Sequence, residues 1–149
     1  MMSASLVRSP SNNVRRVLDT WPVMEWLKNR PETALRFDRF LERVETGEVS
    51  LFMSDMTLGE IYYSVGKVWG VARADEMLGF FDSISISILD SSRVRILAAA
   101  RLKAIHNISY ADAFVAGLAN ELDCPIVTGD PDFAALAAKG VVEIEWLGA

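Results

Sequence analysis

The sequence predicts an α/β three-layer sandwich, with a mostly parallel central sheet of about five short strands and helices on both faces. Three observations predict it. Short apolar runs rich in Val, Ile and Leu alternate with longer stretches of helical periodicity. Strands that alternate with helices are joined by right-handed crossovers, which align the strands and cover both sheet faces. The 149 residues, 51% of them hydrophobic, suit one domain able to bury roughly 68–70% of its unfolded surface.

Residues 14–149 are expected to form that domain. Residues 1–13 are polar, end in Ser9-Pro10-Ser11-Asn12-Asn13, and read as a flexible extension. Val14 to Asp19 is the first strand. Thr20 reads as the N-cap of a helix with Pro22 in its first turn, continued by Val23, Trp26 and Leu27 and stopped near Pro31. Glu32 to Glu45 is amphipathic, with Phe37, Phe40, Leu41 and Val44 on one face and Gly47 as the stop. Val49 to Met53 is a strand. Thr57 to Trp69 and Val71 to Phe81 are helices parted by Gly70. Ser83 to Leu89 alternates, with Ile84, Ile86 and Ile88 on one side, as a half-exposed strand does. Ser91/Ser92 caps a helix to His106, and Ser109 caps one to Leu122. Pro125 to Thr128 is a strand, Asp132 to Ala138 a helix and Val141 to Trp146 a last strand.

Composition excludes several chemistries. One cysteine, Cys124, and one histidine, His106, leave no disulfide framework, no cysteine-rich zinc site and no pair of imidazoles. No apolar run approaches a membrane span, and residues 1–13 lack a signal-peptide core, so the cytoplasm is the expected compartment. A net charge of −5 argues against wholesale coating of nucleic acid. The charge is uneven, however. Arg8 to Arg43 holds eight bases and five acids, whereas Ala104 to Ala149 holds one base and seven acids.

Ligands of such sheets bind beyond the carboxyl ends of the strands. Four acids fall there: Asp19 after the first strand, Glu60 and Asp112 early in helices, and Asp130 after the Ile126-Val127-Thr128 strand. Singly, each has a structural explanation. Thr57-x-x-Glu60 and Ser109-x-x-Asp112 match capping boxes, and Asp19 and Asp130 suit turns or caps. Together they would repel one another and raise their pKa values unless a cation sits among them. An oxygen-only donor set suits Mg²⁺ or Mn²⁺.

The motifs Val17-Leu18-Asp19-Thr20-Trp21, Thr57-Leu58-Gly59-Glu60-Ile61, Ala111-Asp112-Ala113-Phe114 and Val127-Thr128-Gly129-Asp130-Pro131-Asp132-Phe133 carry a resemblance. In order and spacing the chain resembles PIN-domain ribonucleases, most closely the VapC toxins of type II toxin–antitoxin systems. The resemblance spans roughly Arg15 to Leu147. It implies a Mg²⁺- or Mn²⁺-dependent endoribonuclease that leaves 5′-phosphate and 3′-hydroxyl ends. It makes Asp19 and Asp112 direct metal ligands, with Glu60 and Asp130 completing the shell, binding a second ion or orienting water. Thr20 and Thr128 would hydrogen-bond these carboxylates. Asp132 is open between N-capping the helix after Pro131 and supporting the ligands. The implied partners are RNA, a small VapB-like antitoxin near the site, a second copy in a homodimer, and DNA only through the antitoxin. An RNA-processing PIN nuclease without a toxin role, and a non-catalytic binding module of the same fold, are the alternatives.

Arg36, Arg39 and Arg43 read as a solvated helix flank supported by a Glu32–Arg36 pair, His106 as a structural residue near a helix end, and Cys124 as packed. The four tryptophans read as core or interface, with Trp26 and Trp69 as candidates for a partner surface.

Overall fold

The structure, a computed structural model, describes residues 14–148. The expected extension over residues 1–13 lies outside the described residues. Five strands form one sheet: β1 (Val14–Leu18), β2 (Val49–Ser54), β3 (Ile86–Leu89), β4 (Ile126–Thr128) and β5 (Ile144–Trp146). Their order is β3-β2-β1-β4-β5, and every pairing is parallel. Helices α1 (Thr20–Leu27) and α2 (Pro31–Glu45) link β1 to β2. Helices α3 (Asp55–Trp69) and α4 (Val71–Ser83) link β2 to β3, and α5 (Arg93–Ile105) and α6 (Tyr110–Leu122) link β3 to β4. A 3₁₀ turn (Pro131–Phe133) and α7 (Ala134–Ala138) precede β5.

The chain steps outward from β1 through β2 to β3, then returns to lay β4 on the other side of β1. The order reverses between β1 and β4, which opens a crevice at their carboxyl ends. Side chains alternate across the sheet. Leu18, Leu51, Met53 and Val127 join a core with Val23, Phe37, Phe40, Ile61, Val65 and Met77. Val17 and Ile126, one residue away in each strand, join Val115, Ala116, Leu118, Phe133 and Leu136. Helices α1 to α4 therefore cover one face, and α6, the 3₁₀ turn and α7 the other.

Several boundaries differ from the sequence reading. Asp19, not Thr20, is the N-cap of α1. Ser54 caps α3, which begins at Asp55, so Thr57 lies inside the helix and forms no capping box with Glu60. Helix α4 runs on to Ser83, and β3 is confined to the four residues that face β2. Alternation is a side-chain property, whereas a strand needs a partner backbone, and Leu51–Ser54 supplies it only for Ile86–Leu89. Likewise β5 is limited to the three residues opposite β4. The stretch from Asp132 begins as the 3₁₀ turn and becomes α7 only at Ala134.

Two of the α2 cations, Arg36 and Arg43, are engaged and not merely solvated. Arg43 contacts Glu48 at 3.0 Å and Glu145 at 2.7 Å, and Glu145 also takes Arg16 at 2.6 Å. Arg36 donates to the carbonyl of Leu147 at 3.2 Å, not to Glu32 as the spacing suggested. Trp26 packs against Phe37 and Phe80 and donates its indole N–H to Asp38, so it is a partly buried residue seated on the core. Trp69 remains exposed. His106 is the C-cap of α5, and Cys124 is a half-buried free thiol.

Candidate active site

The crevice between β1 and β4 collects the acids. Asp19 leaves β1 and turns into α1, its carboxylate accepting the Trp21 backbone N–H at 3.5 Å. It is 2% exposed. The Thr128 hydroxyl, at the end of β4, donates to Asp19 Oδ2 at 2.6 Å and accepts the Asp130 N–H at 3.0 Å. The Thr20 hydroxyl donates to Glu60 Oε1 at 2.6 Å, tying α1 to α3. Each threonine thus bonds one carboxylate of the group.

Asp112 sits in the first turn of α6, where its N–H donates to the Ser109 hydroxyl at 3.0 Å. This half of the expected capping box is present, and the carboxylate is also a member of the acidic group. Asp130 caps the 3₁₀ turn by accepting the Asp132 N–H at 2.9 Å. The N-cap at this turn is therefore Asp130, not Asp132. Asp132 instead brings its carboxylate to Asp112 and Asp130, with ligand atoms of all three within 4.8 Å of one another. The sequence carried a signal for this: a second acid follows Asp130 by two residues in a short turn opened by Pro131. Asp19 and Glu60 lie outside that triplet but close enough for their charges to be felt. Asp112 and Glu60 both act on Asp19.

The electrostatics follow from this packing. Burial pushes the Asp19 carboxyl up to about 7, and the neighbouring Asp112 and Glu60 charges add to the rise that the Thr128 hydrogen bond opposes. Asp112 is pushed up to about 6, first by burial, then by the charge of Asp130, with Ser109 opposing and Glu60 and Asp132 adding. The hydrogen bonds to Asp19 come from a hydroxyl and a backbone amide, which orient the carboxylate without neutralising it. A hard divalent cation would do so. Asp112, Asp130 and Asp132 offer it oxygen atoms alone, with Asp19 alongside. The residues present therefore fit Mg²⁺ or Mn²⁺ chemistry.

A model of the PIN domain family matches residues 16–139. The chain belongs to the PIN domain family. No curated protein sequence matches it. Among solved structures, the PIN fold here is similar to VapBC from Salmonella typhimurium bound to DNA, with TM-score 0.69, 19% identity, and 90% of this chain and 98% of that chain covered. It is similar to VapBC2 from Rickettsia felis bound to a promoter DNA fragment, with TM-score 0.65, 18% identity and coverage of 89% and 98%. It is also similar to VapC20 of Mycobacterium tuberculosis, a toxin that cleaves the sarcin–ricin loop, with TM-score 0.66, 14% identity and coverage of 80% and 93%. These likenesses are of fold. Among the described residues, no helix of the PIN chain is long and apolar enough to cross a membrane.

Proposed function

We propose that this PIN chain is a Mg²⁺- or Mn²⁺-dependent endoribonuclease that acts in the cytoplasm as the toxin of a toxin–antitoxin pair. The observation that carries the reading is the meeting of Asp112, Asp130 and Asp132 beside the buried Asp19, at the point where strand order reverses. Asp19 and Asp112 are the direct ligands, and Glu60, Asp130 and Asp132 complete the donor set. When bound, a divalent ion polarises a phosphoryl oxygen and makes water a competent nucleophile near neutral pH. The chain's own residues prepare that site. The Thr128 hydroxyl fixes one oxygen of Asp19, and the Thr20 hydroxyl fixes one oxygen of Glu60. The Ser109 and Asp130 caps hold Asp112 and Asp132 at the starts of their turns.

The toxin role is supported by the kinship of fold with VapC20, a sarcin–ricin loop cleaving toxin. The DNA-bound VapBC complexes support a small VapB-like antitoxin as partner, with DNA reached through it. A homodimer belongs to the same reading. The deciding experiment compares wild type with Asp112→Asn on RNA, in Mn²⁺ and in EDTA. Wild type cleaves in Mn²⁺ and stops in EDTA, and the variant does not cleave. Equal cleavage by both proteins would overturn the assignment.

A further inference from the structure

The turn that carries Asp130 is gripped by a contact that involves none of the acids. Trp21 lies in the first turn of α1, two residues from Asp19. A Cβ built on Gly129 would clash with the six-membered ring of the Trp21 indole, 2.8 Å from Cε3 and closer still to Cζ3 and Cη2. The ring is rigid, so no side chain fits at 129 while the indole keeps its place. Gly148 backs the same stack, since a Cβ there would meet the Gly129 Cα and carbonyl at 3.4 Å and the indole at 3.8 Å. The tail after β5 is itself fixed. The Leu147 N–H donates to the Thr128 carbonyl at 2.9 Å, and Arg36 donates to the carbonyls of Leu147 and Gly148.

Gly129 is the pivot between two parts of the site. On one side Thr128 holds Asp19, and on the other Asp130 joins Asp112 and Asp132. We propose that Trp21 is a positioning residue: its ring, seated on the bare Gly129 backbone, sets the spacing between the Asp19 carboxylate and the Asp112–Asp130–Asp132 group. This rests on the metal-site reading above. An indole suits the task because it fills a broad flat gap with only two torsions to fix. A phenyl ring at 21 would not span to where Cζ3 and Cη2 now lie.

The test measures Mn²⁺ affinity by titration calorimetry, and fold stability by urea unfolding, for wild type, Trp21→Ala, Trp21→Phe, Gly129→Ala and the double variant Trp21→Ala/Gly129→Ala. Gly129→Ala and Trp21→Ala should each weaken Mn²⁺ binding by about 10-fold or more, the range seen when groups supporting metal ligands are removed. Trp21→Phe should fall between wild type and Trp21→Ala. The double variant should bind no more weakly than Trp21→Ala, because the added methyl then has room. Gly129→Ala binding Mn²⁺ as wild type does, or losses that simply add in the double variant, would overturn the proposal. So would Trp21→Ala and Trp21→Phe that shift the urea midpoint but not the Mn²⁺ affinity, and that comparison stands even where Gly129→Ala fails to fold. Wild type that binds no Mn²⁺ would instead sink the metal-site reading, and this inference with it.

Discussion

At Asp19 one carboxylate caps α1, accepts the Thr128 hydroxyl and lends its charge to the acidic group. This overlap explains why each acid, taken singly, also has a structural reading in the sequence. The caps at Asp19, Asp130 and Ser109 are real, and the same residues build the site. Thr57 went the other way, because Ser54 took the cap and left Glu60 bound to Thr20 across 40 positions, a contact that no local pattern encodes. The raised carboxyls have a consequence for stability. Below about pH 4, Asp19 and Asp112 are protonated whether the chain is folded or not, and they impose no penalty. As pH rises toward about 6 for Asp112 and about 7 for Asp19, the unfolded chain ionises freely while the folded one resists. Their contribution to stability is therefore lost over that window. In EDTA the melting temperature should fall from about pH 4 to about pH 7, and Mn²⁺ should restore more of it at about pH 7.5 than at about pH 5. Asp19→Asn should flatten the pH dependence and blunt the Mn²⁺ response. A melting temperature indifferent to both pH and Mn²⁺ would contradict this account.

At the scale of elements, apolar periodicity located every strand and helix, and partner geometry set where they end. The three-residue β4 fixes β5 at three residues, although the apolar pattern before it begins at Val141. Gly70, at φ +99°, turns α3 directly into α4, the two helices that the sequence reading parted at this glycine. Periodicity also says little about how firmly a helix is held. In α2 the inward face is deep, with Phe37 fully buried, stacked on Phe40 and edge-on to Trp26. In α5 the only buried residue is Ala99, while Val94 is 77% and Leu97 60% exposed. Phe37→Ala should lower the free energy of unfolding by about 3–5 kcal/mol through loss of contact and the cavity left behind. Val94→Ala should change it by less than about 0.5 kcal/mol. Urea unfolding of the two variants beside wild type measures the contrast, and comparable losses would mean that α5 packs as tightly as α2.

For the whole molecule, the net charge of −5 first argued against a nucleic-acid substrate. The fold redistributes it. Arg16 and Arg43 are tied to Glu145 across the sheet edge, so part of the opposition between the basic and acidic halves is neutralised internally. On the metal-site reading, Asp112, Asp130 and Asp132, with Asp19 beside them, would share a divalent ion, and one such ion would bring the charge to about −3. One group of exposed cations available to a polyanion lies on a single helix. Helix α5 carries exposed Arg93, Arg101 and Lys103 and leads into the short loop that ends at Ser109, the cap of the α6 turn that bears Asp112, with Lys103 donating to the Ile108 carbonyl. On the ribonuclease reading, three such cations allow about three phosphate contacts, and a salt slope of about −2 on a log–log plot for single-stranded RNA. Binding of RNA to the non-cleaving Asp112→Asn protein should then weaken roughly 20-fold between about 50 and about 200 mM salt, far short of the roughly 10³–10⁵ seen for proteins that make 6–10 contacts. Fluorescence anisotropy across that salt range tests it. A slope near zero would remove phosphate contacts from recognition, and a slope beyond about −5 would mean that RNA coats a far larger surface than α5 offers.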